Sequence, residues 1–436
     1  MSLDTDSAMM QAYRDFFKSA LALLRAEQAA AGKVEGKSVL VPTFLDIQDT
    51  ETSFGVSRTY TVKVIPDLPG FVLNCSEKIM SLPELKKGME VLRNFVEIDK
   101  YAGIDHCYFL DPLIDMAHSA KGFDIPISVV EEKVREVVHC IQTGTYMIEA
   151  SGLLDGFSSE SARIQLNESC WIRKLDLDSA ISFWEEDGEY ARDTNSLTPA
   201  EYLLQATILG NISNRGKEYR ILHDKLKQAL FVLRLLKRGK IHLKGVSIKQ
   251  LTWAPIYELR QRLTQTFFTR QYRMSQVESD ALVAHWRKYA GLYDSQEQRT
   301  RLAINRFGSS YDRESPHDKI IDCFIGLEAL LIEDDRELGY KLSLRTANLL
   351  GLNEDDRQKI FSEIKAGYNL RSKIVHGNDP RESVSLTTRP QPISIYQFAE
   401  ELERYLARAL MRMADLRAER PVLNLIKHLD SMALST

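Results

Sequence analysis

Residues 353–378 run NEDDRQKIFSEIKAGYNLRSKIVHGN and hold a complete helix, with its start, its apolar stripe and its stop. Asn353 is a preferred capping residue, and Asp355 and Asp356 sit where the positive end of a helix favours acids. Phe361, Ile364, Tyr368 and Val375 recur at helical spacing, and Gly377-Asn378 ends the run. One charged residue, Arg371, lies inside that stripe.

Neighbouring segments repeat the pattern. Ser315-Pro316-x-Asp318 is a helix start, with a capping serine, Pro at the first helical position and an acid turned to the cap. The helix it opens should run to about Glu333, with Ile321, Phe324, Ile325, Leu331 and Ile332 on one face and Glu328 among them. A second helix, Glu337 to Leu350, stops at Gly351 and places Arg345 in line with Leu338, Leu342 and Leu349. Beyond a Pro-containing loop, Ile395, Phe398, Leu402, Tyr405, Leu406, Ala409 and Met413 mark a last amphipathic helix, and Gln296 to Ser309 forms one ahead of the group.

Three helices thus each direct one charge at the core. Isolated buried charges are costly, so Glu328 should pair with Arg345 or Arg371, or the groups should open onto a cleft. An ion pair that only fixes packing is one reading, and a reactive site is the other. His376 bears on the choice. It follows Arg371 by five residues, about 140° around an ideal helix, and Gly377 next to it lets the last turn loosen and the imidazole swing toward the guanidinium. A histidine there also reads as a simple cap on the last carbonyls. None of the other eight histidines has an Arg five to seven residues before it.

The run YNLRSKIVHG, Tyr368 to Gly377, resembles the R-x(4–6)-H motif of the HEPN superfamily. Together with GLEALL, Gly326 to Leu331, and YKLSLR, Tyr340 to Arg345, in the same order and spacing, it is similar to the Apea-like HEPN branch over about residues 300–417. The resemblance implies an all-α helical bundle that often forms a homodimer and brings two motifs into one cleft. It also implies metal-independent RNA cleavage without a cofactor, in bacterial defence against phage or toxin-like growth arrest. Carried onto this chain, it makes Arg371 and His376 the catalytic pair, with Glu328, Arg345, Tyr368 and Ser372 in support. In many HEPN nucleases Asn, Asp or His directly follows the Arg, where this chain has Ser372.

The residue types suit that chemistry. Cleavage without metal needs a base for the 2′-OH proton and a cation for the charge that builds on phosphorus-bound oxygens. The imidazole of His376 can serve as base or acid, and a guanidinium such as that of Arg371 donates two parallel hydrogen bonds while staying charged. The expected products are a 2′,3′-cyclic phosphate and a 5′-OH.

Outward from the bundle the chain is mixed. Ala8 to Ala31 reads as a helix ending at Gly32; Ser38 to Leu45, Ser57 to Ile65 and Phe71 to Asn74 read as strands; Pro83 to Ile98 and Val129 to Ile141 read as helices. Ala162 to Leu177 reads as two short strands around Asn167-Glu168, and Asp187 to Thr198 as a linker. Pro199 to Ala290 reads as mainly helical, with a strand pair across Lys240 to Trp253. The expected class is α+β, divided into a mixed α/β region at 1–190, a mainly helical basic region at 191–295 and the helical bundle at 296–436. Gly32 to Ser38 is one residue short of a phosphate-binding loop and lies in helix-to-strand order, the reverse of what such a loop requires.

At 436 residues, 44% hydrophobic and 27% charged, the chain has the balance of a globular protein of more than one domain. It has no basic leader and no uncharged apolar run of about 18 residues, so a cytoplasmic protein without membrane contact is expected. Cys75, Cys107, Cys140, Cys170 and Cys323 are widely spaced and read as buried free thiols. Zinc held by His106-Cys107 and His139-Cys140 is disfavoured, because adjacent side chains point different ways. Between Asn211 and Met274 fifteen Lys or Arg face three acids, a local balance of +12 that leaves −16 elsewhere in a chain of net charge −4. Either this is an RNA-guiding surface, with Arg234, Lys237 and Arg238 as its contacts, or it is the solvated side of a helix whose Leu226, Leu230, Leu233 and Leu236 are buried. The competing function for the whole is a non-catalytic HEPN module for dimerisation or for binding RNA or nucleotide. A phage-derived or cellular trigger acting through the N-terminal region is compatible with the nuclease.

Overall fold

The computed structural model describes residues 3–42, 60–93, 106–177, 179, 201–212, 217–237, 239–253, 259–262, 272–334, 336–377, 382–420 and 424–432. The expected linker and Arg238 lie outside these. The chain forms two compact units that interleave in sequence: Met1–Leu153, Arg173–Lys225 and Gly245–Leu263 make the first, and Leu154–Ile172, Leu226–Lys244 and Thr264–Thr436 the second. These boundaries differ from the three consecutive regions expected. The N-terminal part is mixed α/β and the C-terminal stretch largely helical, in agreement with the α+β reading. No helix among the described residues is long and apolar enough to cross a membrane.

In the first unit, helix α1 (Leu3–Ala31) buries Met9, Tyr13, Phe16, Phe17, Ala20, Leu21 and Leu24 as one stripe against α4 (Pro83–Leu92) and α6 (Ile127–Thr143). The Phe109 ring stacks on Tyr13 at 4.8 Å and meets Phe16 edge-on at 5.0 Å. Strands β1 (Gly36–Pro42) and β2 (Tyr60–Pro66) pair antiparallel from Gly36↔Pro66 to Pro42↔Tyr60. Phe71 to Asn74, expected as a strand, is instead the end of helix α2 (Leu68–Asn74). The reason is local: the Asp67 carboxylate accepts from the Gly70 N–H at 3.1 Å, and Pro69 occupies the first turn, where its missing N–H costs nothing. Short helices α3 (Ser76–Met80) and α5 (Asp111–Ser119) complete this layer.

Two strands of the unit were not expected. β3 (Thr145–Asp155) had no assignment, and β7 (Tyr202–Asn211) falls in the stretch read as helical. Tyr202 to Thr207 are all buried, so both faces of that strand are apolar or covered and the alternation that betrays a strand is missing. The expected hairpin over Lys240 to Trp253 is a single strand, β8 (His242–Gln250), which pairs antiparallel with β9 (Leu259–Arg262). Within this unit the strands run in the order β7-β3-β8-β9.

The second unit holds β4 (Phe157–Ser159) paired in parallel with β10 (Tyr272–Met274), and β5 (Arg163–Asn167) followed by β6 (Cys170–Lys174), the two strands expected around Asn167. Helix α7 (Lys217–Leu236) enters it at Leu226. Its bulk is α8 (Gln276–Tyr293), α9 (Gln298–Asp312), α10 (Pro316–Leu331), α11 (Leu338–Leu350), α12 (Glu354–Val375), α13 (Ile395–Glu419) and α14 (Leu425–Met432). The starts are the ones the sequence signals. Ser315 Oγ accepts from the Asp318 N–H at 3.4 Å, Asn353 Oδ1 from Asp356 at 2.9 Å, and Ser394 forms a capping box with Gln397.

Helix α10 packs on α9, α12 and α13, and α11 on α12. Phe324, Leu327, Leu342, Ile364, Phe398, Leu402 and Leu406 are fully buried between them, each contributing about 1.5–3 kcal/mol relative to exposure. Gly367 permits a close approach: a Cβ there would stand 2.8 Å from the Phe398 ring and 2.9 Å from that of Phe324. Cys75, Cys140, Cys170 and Cys323 are buried and form no disulfide among the described residues; the Cys107 side chain lies outside these.

Candidate functional site

The candidate site lies on the C-terminal half of α12 and the face of α10 opposite it. Tyr368 fixes the start of that surface. Its ring meets Phe324 edge-on at 5.8 Å and presses on Gly339 of α11, where a Cβ would be 2.8 Å from the ring. One turn later the Arg371 guanidinium lies 5.9 Å from the Tyr368 ring centre and 3.8 Å from Glu328 Oε2. At that separation the ion pair is loose. Arg371 and Glu328 are 25% and 22% exposed, so the pair sits at a rim and is not sealed in the core.

Arg371 keeps hydrogen-bonding capacity. Its Nε is buried and makes no hydrogen bond. Burial pushes the Glu328 carboxyl above its usual range and the Arg371 charge opposes that rise. Burial and the Glu328 charge together raise the Tyr368 phenol. Glu328 lies in a strip of half-buried apolar residues, Ile321, Ile325 and Ile332, while Ile320, Phe324, Leu327 and Leu331 take the core face. The expected face was thus partly right, displaced by about one position.

His376 is the C-cap of α12, and its imidazole is exposed. The last turn does not loosen as expected. The His376 N–H still donates to Ser372 O at 3.1 Å, and Gly377, at φ +72°, donates to Ile374 O at 3.1 Å. Helical geometry is therefore kept to the end, which places His376 about 7.5 Å along the axis from Arg371 and about 140° around it. Ser372 is half-buried, and its carbonyl serves the helix end.

Arg345 is elsewhere in function. Its guanidinium makes a two-pronged pair with Asp430 at 2.7 and 2.9 Å and donates to Leu331 O at 2.8 Å. Of the two partners open to Glu328, the one facing it is Arg371. Asp430 went unnoticed because it lies on the short C-terminal helix, although the amphipathic run Leu425 to Met432 is visible in the sequence.

The structure also shows why Arg234 and Lys237 stand out in sequence. Arg234 is 4% exposed and donates to Asp312 Oδ1 at 2.7 Å and Ile241 O at 3.0 Å; Lys237 donates to Glu278 at 2.6 Å. Neither belongs to the Arg371 surface. Sequence reading missed three further buried ionic groups. Glu363 is held by Tyr405 at 2.7 Å, with Thr388 and Arg389 beside it; Lys319 pairs with Glu403 at 3.0 Å; Asp322 binds Arg306 and Arg313. Each completes packing, and the signal for each was a charge on an apolar helix face. Comparison with family models, with curated proteins and with solved structures finds no match to the chain.

Proposed function

We propose that the chain is a metal-independent endoribonuclease of HEPN type, in which Arg371 stabilises the phosphate and His376 serves as acid or base. The observation that carries this is the state of Arg371. Its guanidinium is a half-buried cation at a rim, and its one carboxylate partner stands 3.8 Å from Nη2, beyond hydrogen-bond reach, so that partner leaves the terminal N–H groups for a phosphate. An exposed imidazole five residues on, at the end of the same helix, supplies the proton transfer.

The 140° between the two side chains suggests how they are used. A homodimer through this helical stretch would let His376 of one copy act on a phosphate held by Arg371 of the other, or supply the complementary acid. Tyr368 and Glu328 then orient the guanidinium, and Ser372 lies next to it. RNA is the partner, the setting is bacterial defence or growth arrest in the cytoplasm, and the N-terminal region receives the trigger.

A second reading is favoured by the same separation. If the two residues never meet at one phosphate, the surface is a binding module for RNA or nucleotide and Arg371 a contact without chemistry. End-group analysis separates the two. RNA incubated with the protein in EDTA should yield fragments ending in 2′,3′-cyclic phosphate and 5′-OH; RNA bound but recovered intact, under conditions that give dimers, speaks for the module.

A further inference from the structure

The start of α11 and the first half of α12 form an aromatic corner on the second unit. Tyr340 is 55% exposed, and its hydroxyl forms no hydrogen bond with a described residue. Its ring meets that of Phe361 edge-on, with centres 5.7 Å apart and planes at 76°. The Lys365 ammonium lies 5.7 Å from the Phe361 ring centre. From these three side chains we propose that the corner is a nucleobase subsite, where an unpaired base of the RNA stacks on Tyr340 and Lys365 meets the phosphate beside it, an assignment that rests on RNA being the ligand of the Arg371 surface.

Packing does not account for Tyr340. Phe324, Phe398 and Tyr405 are sealed in the core of the same bundle, whereas more than half of the Tyr340 ring meets water and an edge-on contact leaves much of it open. A ring of this kind beside a cation suits a nucleotide, since every base has a π-face and each is joined to a phosphate. Lys365 is exposed and forms no ion pair among the described residues. Its surroundings leave it so. Lys341, next to Tyr340, is held by Asp334 at 2.7 Å, and Glu363, two residues before Lys365, is turned inward to Tyr405 at 2.7 Å.

The corner leads along α12 toward Arg371. Lys365, Asn369, Ser372 and His376 follow at intervals of four, three and four residues and so share one side of the helix; Ser372 is half-buried and the other three are exposed. Beside that line stand Phe361 and Tyr368, seven residues apart, and the Tyr368 ring presses on Gly339, the neighbour of Tyr340. From Phe361 to Arg371 the axis advances about 15 Å. A base on Tyr340 therefore belongs to a nucleotide near the one held by Arg371 and not to that nucleotide itself. Bases reach an aromatic side chain in this way only when they are splayed out of a helix, so the corner selects unpaired RNA.

The test is fluorescence anisotropy of the full chain carrying His376→Ala, which keeps the RNA whole, with a labelled unpaired RNA oligomer and with a duplex of the same length. Tyr340→Ala, Tyr340→Phe and Lys365→Gln are added in turn, and thermal melts confirm that each variant folds. Tyr340→Ala should weaken binding of the unpaired oligomer about fivefold or more, while Tyr340→Phe, whose ring stacks equally well, retains it. The duplex should bind more weakly, and Lys365→Gln should lower the salt slope by about one. Unchanged affinity in Tyr340→Ala overturns the subsite and leaves the nuclease reading standing, as does an equal loss in Tyr340→Phe or equally tight binding of the duplex. An unchanged salt slope overturns the role of Lys365. No binding of either RNA overturns the subsite and the nuclease reading together. RNA that depends on Tyr340 for binding, yet is never cut by the chain with His376 in place, upholds the subsite and turns the nuclease reading into the binding module.

Discussion

Arg345 and Arg371 are equivalent by spacing, each a single arginine in an apolar helix stripe, and their surroundings separate them. Arg345 has its donors taken by Asp430 and Leu331 O, which makes it a fastener between α11 and α14. Its replacement by Met should lower stability by about 1.5–3 kcal/mol in urea denaturation, the loss of hydrogen bonds to a charged partner. Arg371 faces a competitor instead of a fastener. Glu328→Gln removes the negative charge while keeping the shape, so RNA should bind a His376→Ala protein up to about fivefold more tightly, the equivalent of a part-exposed ion pair worth up to about 1 kcal/mol. Fluorescence anisotropy measures this, and weaker binding in the Gln variant would mean that Glu328 helps hold RNA.

At the scale of elements, packing of α12 depends on Gly367, which brings the helix against Phe324 and Phe398. Gly367→Ala forces the two rings apart and should cost about 1–3 kcal/mol in spite of the better helix propensity of alanine. A stabilised variant, read by chemical denaturation, would show that the rings yield freely. The helices of this stretch were legible because Ser315, Asn353 and Ser394 each announce a start and apolar residues follow at a regular period. Strands β3 and β7 were hidden for the opposite reason: burial on both faces erases the alternation that distinguishes a strand from a helix. The α2 helix was hidden by its length, since a few apolar residues fit either structure, and only the Asp67-x-Pro69-Gly70 start discriminates. In the site itself Arg371, Glu328 and His376 were legible as residues. Which carboxylate meets which arginine was not, because that depends on the packing of helices distant in sequence.

For the whole molecule, His242, which is buried, and His285, which is half-buried, should make stability depend on pH on the acid side. Burial, partly opposed by the bond to Asp312, brings His242 down to about 4; burial and Lys288 do the same for His285. Both are neutral in the folded state, whereas the unfolded chain protonates them near 6.5. Unfolding therefore takes up protons between pH 6.5 and 4, and stability should rise with pH across that window. Burial alone would raise the Asp312 carboxyl, yet its bonds to His242 and Arg234 bring it down to about 2, so a further loss follows as pH falls from 3.8 toward 2. Urea midpoints from pH 4 to 7 should fall steadily toward acid, with a flatter profile in His242→Phe; equal midpoints throughout would show that the histidines protonate without unfolding. The central claim rests on Arg371 and His376 acting in one reaction, and the most direct measurement is RNA cleavage in EDTA by the wild type, Arg371→Ala and His376→Ala proteins, each shown to be folded. The account predicts cleavage by the wild type and a loss of about 100-fold or more in each variant. Cleavage that persists in both variants would contradict it.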